Sequence, residues 1–326
     1  MSASICRALV VTLFLAIVAF QSKADESSAE RSFQLNYGAT IEGVGDAKQV
    51  RVWLPLPSDS DAQRARLVGW QLPKAKARIT QDKTYGNRIL YFEFSPTSGN
   101  ATFKLEHDVT RLEVRALNAT ISHEMDLPIK QRQLFLKSNA KVPIQGKPLS
   151  LLPEFESEDN IDRARVIYNR VDSHVKYDKS KPGYGFGDVL WVCDSRTGNC
   201  TDFHSLFISM ARSQRIPARF EIGFPLPSES SGKIAGYHCW AAFYDKRKGW
   251  VPVDISEADK HPEMKDYYFG SLTKDRVAFS VGRDIVLEPP QAGPPLNYFV
   301  YPHVEVDGKP LPKSKIKLEF SFADSP

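Results

Sequence analysis

From Arg31 to about Leu117, apolar and polar residues alternate with a period of two, in segments such as QVRVWLPLP, RILYFEF and ATFKLEHDVTRLEVRAL. That period puts every second side chain on one face of an extended strand. Clusters of Gly, Asn, Asp and Ser separate the segments and supply turns. No amphipathic helix interrupts the run. Residues 25–125 are therefore expected to form an antiparallel β-sandwich of immunoglobulin-like size. The region holds no cluster of ionisable residues that looks like a site, so its expected role is support or recognition.

The pattern then changes. A join rich in Pro, Lys and Gln runs over residues 126–156, and a second domain is expected over 157–326. It opens with SEDNIDRARVIYNRVDSHVKYD, where a capping cluster precedes Ile161, Ala164, Ile167, Val171 and Val175 at helical spacing. KPGYGFG breaks that helix. In TGNCTDFHSLFISMARS, Phe203, Leu206, Phe207, Met210 and Ala211 fall at i, i+3, i+4, i+7 and i+8, which predicts a core-facing helix beginning at or just after Cys200. RFEIGF, HCWAAFY and WVPVDIS read as three strands. The loop Pro225 to Gly236 is expected to be mobile, and DKRKG to close a hairpin. A Pro-rich run, LEPPQAGPPL, leads to a hairpin at Asp307-Gly308 and a last strand, IKLEFSF, read as a β extension of the second domain.

Residues 1–24 have a secretory pattern: Arg7 charges the front, Ala8 to Phe20 is apolar, and Ser22-Lys23-Ala24 is a small-x-small cleavage site. The apolar stretch falls short of the roughly 20 residues that span a bilayer. Export to the periplasm or the medium is expected, with no membrane span after cleavage. Hydrophobic content of 42% and charged content of 25% suit a soluble globular chain. A net charge of +4 without a basic stripe gives no reason to expect nucleic acid as a partner. Once Cys6 leaves with the signal, Cys193, Cys200 and Cys239 remain, an odd number that leaves at least one thiol free in a monomer. A Cys193–Cys200 disulfide is an alternative use for two of them. Their spacing, with His238 beside Cys239, matches no common zinc pattern, and neither a metal nor a cofactor is expected.

A free thiol at a helix start has a chemical use. Unpaired N–H groups and aligned peptide dipoles there favour negative charge, and the thiolate is the reactive form. Gly198, lacking a Cβ, would let a substrate or another backbone approach. Pairing Tyr244 with Trp250 across the hairpin sets Trp240 opposite Asp254 and makes His238 the diagonal neighbour of Asp254. A nucleophile, a base and a group that holds the tautomer of the base are what thiol catalysis requires. Taken singly, each residue also has a plain structural explanation: a helix-starting cysteine in the core, a satisfied strand histidine, a turn-forming aspartate. Cys239, facing the other way, reads as core. His204, one turn beyond Cys200, is expected to face water, and Asp275, Arg276, Arg283 and Asp284 read as solvated charge.

GNCTDFHSLF, GYHCWAAFY and GWVPVDIS together resemble the three signature blocks of the transglutaminase-like cysteine enzyme superfamily, G-x-C-x-D-x-x-x-L, H-x-W and W-x-x-x-D. The resemblance covers about Ile161 to Ser256. It implies an α+β fold: a papain-like core in which a Cys-bearing helix packs on an antiparallel sheet. It also implies that Cys200 is the nucleophile, His238 the base and Asp254 the orienter. The combination with an N-terminal β-domain and a signal is similar to exported bacterial members. Asp202 matches the family's acidic position and is expected to complement the helix dipole. The Cys200 N–H is a candidate oxyanion donor. Tyr184, Trp191 and Trp240 are candidate oxyanion or substrate contacts.

The expected activity is thiol acyl transfer on a peptide or protein amide, in the cell envelope by inference from the export signal. Hydrolysis is favoured, because no site for an acceptor amine can be read. The alternatives are an amine-transferring cross-linker and a non-catalytic binding protein on the same fold.

Overall fold

The structure is a computed structural model that describes residues 29–118 and 123–325. The expected signal and Cys6 lie outside the described residues. Strict alternation governs the first strand, Glu30–Glu42: Phe33, Leu35, Tyr37, Ala39 and Ile41 point inward and are buried. It pairs in antiparallel register with Asn100–Leu112, Phe33 opposite Val109 and Tyr37 opposite Leu105. This sheet has the order Ser231–Lys233, Ile316–Asp324, Glu30–Glu42, Asn100–Leu112, Gln63–Gln71. A second sheet has the order Lys309–Pro310, His303–Val306, Val50–Pro55, Arg88–Phe94, Lys76–Gln81. The inward faces of both feed one apolar core, in which Phe92 meets Phe103 edge-on.

This arrangement corrects the domain reading in one respect. The C-terminal β extension pairs with the N-terminal strands: Ile316–Asp324 lies between Glu30–Glu42 and Ser231–Lys233, and His303–Val306 lies beside Val50–Pro55. Apolar alternation says that a strand has a buried face but not which sheet it joins. The hairpin at Asp307-Gly308 forms, with both residues at positive φ. The loop after Pro225 contributes Ser231–Lys233 to the edge of the sandwich, so the mobile loop expected there is partly a strand.

Among the described residues the α-helices are, in chain order, α1 Ile129–Leu134, α2 Asn160–His174, α3 Val189–Ser195, α4 Cys200–Ser213 and α5 Ile255–Lys260. The join at 126–156 is more than a tether. Beside α1 it buries Phe135 and Val142, and its carbonyls take the Arg212 guanidinium at Lys137 and the Ala218 N–H at Phe135. The Asp159 carboxylate caps α2 through the N–H groups of Ile161 and Asp162, and Ala164, Ile167, Tyr168 and Val171 turn inward. A four-stranded antiparallel sheet, ordered Gly249–Val253, His238–Asp245, Ala218–Pro225, Arg276–Val281, carries α4 on one face.

Helix α4 departs from the amphipathic pattern. Every residue from Cys200 to Arg212 is buried, including Asp202, His204, Ser205, Ser209 and Arg212. Its second face packs on α2, α3 and α5, so each polar group there needs an internal partner. Arg212 donates to Ala218 O, Lys137 O and Asn139 Oδ1. Ser209 donates to Pro143 O.

Candidate active site

Local sequence sets the start of α4. Asn199 is its N-cap and accepts from the Thr201 N–H, while Asp202 reaches back to the Asn199 N–H at 2.8 Å, which closes a capping box. The Asp202 carboxylate also accepts from the N–H groups of Gly185 at 2.7 Å and Gly187 at 2.9 Å. It therefore pins the glycine-rich loop at 183–187 against the helix start. Burial pushes its carboxyl up to about 6 even with those three donors. Gly198 is required because a Cβ there would sit 2.4 Å from the Asp202 Cβ. The close approach is made by that side chain rather than by a substrate or backbone. Gly187, at φ 57°, stands where a Cβ would meet the Ser205 hydroxyl.

The hairpin register is the expected one, with Tyr244 opposite Trp250 and Ala241 opposite Val253. Its loop is shorter than read, since Asp245 also pairs with Gly249. Asp254 is the residue past the strand and the N-cap of α5, with its side chain accepting from the Glu257 N–H. The His238 ring, at the strand start, contacts Asp254 through Nε2 to Oδ2 at 2.8 Å. With Nε2 so engaged, Nδ1 is the ring nitrogen left for Cys200, and the two groups shift each other's proton affinity. All three side chains are buried.

Their charges reinforce one another. Burial pushes the Cys200 thiol up, but the polar side chains of Cys239 and His238 and the charge on His238 outweigh it and leave the thiol well below its ordinary value. For His238 burial acts downward, and the Asp254 carboxylate together with Cys200 overcomes it, raising the imidazole to about 10. Asp254, which burial would raise, is held well below the usual carboxylate range by His238 and by Arg276. The arrangement favours a thiolate–imidazolium pair beside an ionised carboxylate.

Three residues expected to face solvent belong to this assembly. Arg276 is buried and donates to Asp254 Oδ2 at 3.0 Å, with its guanidinium 4.9 Å from the Trp240 ring. His204 is buried, not on the surface: its Nε2 accepts from the Ile255 N–H at 3.0 Å and lies 3.8 Å from Asp254 Oδ1. Burial, the largest influence, lowers His204 to about 4, so it is a neutral link between α4 and the cap of α5. Arg283 is buried and donates to the Phe186 and Gly187 carbonyls and to Ser205, holding the far side of the glycine-rich loop. The one available signal was the i+4 spacing of Cys200 and His204 on a helix; neither arginine had one.

The candidate contacts separate. Tyr184 lines a cavity of about 370 Å³ in front of Cys200, with Tyr177, Tyr237 and Tyr298. Trp191 is outside that lining and packs against Gly183. Trp240 is fully buried, donates its indole N–H to Glu221 Oε2 at 2.8 Å and backs the His238 ring at 6.2 Å, so it supports the ring and does not reach substrate space. Asp202 is fully buried with its oxygens occupied, which removes it from substrate contact as well. Tyr237, which precedes His238, went unread: its hydroxyl accepts from Asn199 Nδ2 at 2.9 Å and meets Thr201 Oγ1 at 3.0 Å. Cys193, Cys200 and Cys239 are all free thiols, so the alternative disulfide is not formed. Cys239 is buried as expected but also touches α4, 3.7 Å from Thr201 Oγ1 and from His204 Nδ1.

The model of the transglutaminase-like superfamily matches residues 151–255. A relative in Haemophilus influenzae, an uncharacterized protein, is 26% identical, with 82% of this chain and 83% of that one covered. A solved structure from Cytophaga hutchinsonii, provisionally named a cysteine protease, superposes with a TM-score of 0.55 at 14% identity over 92% of this chain and 99% of that one. Residues 151–255 are accordingly a transglutaminase-like domain, set in a mixed α and β fold with the transglutaminase-like core.

Proposed function

We propose that the protein is an exported thiol acyl-transfer enzyme that hydrolyses amide bonds. The observation that carries this reading is the pairing of His238 with Asp254 and the charge interaction of His238 with Cys200, which lines a cavity; the three come from a helix start, a strand start and a helix cap that lie apart in the chain. The Cys200 thiolate attacks the amide carbonyl, and the oxygen's developing charge meets the Cys200 N–H at the start of α4. His238, protonated, gives its proton to the leaving nitrogen as the C–N bond breaks, and a thioester remains. Water then attacks the thioester while His238 takes up its proton, and the C–S bond breaks to release the acid and restore the thiolate and imidazolium. Asp254 holds the ring throughout, with Arg276 fixing the carboxylate. No step calls on a metal or cofactor.

Export is supported by the pattern of residues 1–24. Among the described residues no helix is long and apolar enough to cross a membrane. The substrates are then peptide or protein amides of the cell envelope. The test is a mass-spectrometric screen of peptides and envelope fragments, with and without a primary amine. Hydrolysis products and an acyl adduct on Cys200 are expected, and both should vanish in Cys200→Ala. Turnover that persists in Cys200→Ala, or products dominated by amine incorporation, would contradict the assignment.

A further inference from the structure

The reaction does not dictate the sign of charge around the thiol, yet the cavity has one. Lys179 and Lys313 line it, and no aspartate or glutamate does. The two approach from different parts of the fold. Lys179 follows Tyr177 on the segment leading to the glycine-rich loop, whereas Lys313 stands on the short turn Lys313–Lys315 before the last sandwich strand. Both are exposed, and among the described residues neither is held in an ion pair. Nearby carboxylates are already engaged. Asp178 accepts from the N–H and hydroxyl of Ser180, Asp259 holds Lys176 at 2.8 Å, and Glu257 holds Lys260 at 2.7 Å. Tyr177, on the cavity wall, has the Lys260 ammonium 4.1 Å and the Lys179 ammonium 5.5 Å from its ring centre. The rest of the wall is largely aromatic, from Tyr184, Phe186, Tyr237, Tyr298 and Tyr301. It offers flat apolar contact to a chain but no carboxylate to receive an ammonium group.

We infer that this cleft selects an acyl donor bearing a carboxylate close to the scissile amide and turns away a protonated amine as acyl acceptor. The inference rests on the thiol acyl-transfer reading and adds the substrate class. A carboxylate entering the cleft gains the field of two unpaired ammonium groups, focused by low-dielectric aromatic walls. A protonated primary amine, which cross-linking requires, meets the same field with the wrong sign. Water carries no such penalty and resolves the thioester.

The experiment needs no known substrate. Cys200 is alkylated in parallel with iodoacetate and iodoacetamide, which are similar in size and differ in charge. The ratio of the two rates is then compared between the wild type and a Lys179→Gln, Lys313→Gln double variant. The ratio should fall by about three- to tenfold in the double variant at low ionic strength, and added salt should narrow that difference. An unchanged ratio would overturn the inference. Alongside, peptide amides identical except for Glu, Gln or Lys beside the scissile bond should be cleaved with kcat/KM in that order, the order flattening in the double variant. Cleavage of the Lys-bearing peptide as fast as the Glu-bearing one would also overturn it. Peptide turnover that survives Cys200→Ala defeats the reaction assignment instead, while the labelling ratio still judges the charge of the cleft.

Discussion

At the residue scale the site depends on who holds the Asp254 carboxylate. His238 and Arg276 share its Oδ2, the Glu257 N–H caps Oδ1, and His204 stands 3.8 Å away. Removing one member of a buried ion pair leaves the other uncompensated, at a cost of about 3–5 kcal/mol. Arg276→Gln is therefore expected to lower the unfolding free energy by about that amount in urea titration. It should also lower kcat more than KM, because the carboxylate would no longer be fixed against the ring. A variant as stable as the wild type would show that Arg276 is dispensable. The contact between His238 and Asp254 was legible in the sequence, since one hairpin register determines it. Arg276, Arg283 and His204 were not. Each is an ordinary polar residue in its own segment, and only packing against distant segments makes it buried and specific.

Elements carry the next level of order. Asp202 ties α4 to the glycine-rich loop through three backbone N–H groups. Hydrogen bonds to a charged group are worth roughly 1.5–3 kcal/mol each. Asp202→Ala is thus expected to cost about 3–5 kcal/mol, read by denaturant unfolding, and to speed proteolytic cleavage within 183–187. A loss below about 1 kcal/mol would mean that the loop is held by Arg283 alone. The sequence pattern identified α2, α4 and the sheet strands well, because apolar periodicity reports burial of one face. It missed the burial of the second face of α4, since polar residues satisfied internally look the same in sequence as polar residues facing water. The cap at Asp254 was read as a strand end for a similar reason: the α5 segment is too short to show a period.

At the scale of the whole molecule, the sandwich and the transglutaminase-like unit interlock. The last strand, Ile316–Asp324, buries Phe320 and Phe322 between the first strand and Ser231–Lys233. Arg111, on a sandwich strand, is buried near the site; burial first and the Arg276 charge second lower its guanidinium to about 10. A chain ending at residue 311 would expose a long apolar strand edge. Calorimetry and size-exclusion chromatography should then show a Tm lower by about 10 °C or more, with aggregation. A monomer with unchanged Tm would mean that the C-terminal strand is an accessory. Sequence patterning gave the strands of this layer but not their partners, which depend on a return of the chain over more than two hundred residues, as in the pairing of Phe33 with Asp324.

The central claim is that Cys200 and His238 exist as a thiolate and an imidazolium. A thiol lowered well below its ordinary value keeps its thiolate as pH falls, and an imidazole raised to about 10 keeps its proton as pH rises to that point. The direct measurement is the pH dependence of iodoacetamide labelling, with the modified cysteine located by peptide mass spectrometry. The account predicts that Cys200 labels faster than Cys193 and Cys239, at a rate nearly flat from mildly acidic pH to about 9, and that His238→Ala shifts the profile toward an ordinary thiol near 8.5. A Cys200 rate that climbs only above pH 8 and is the same in His238→Ala would contradict it.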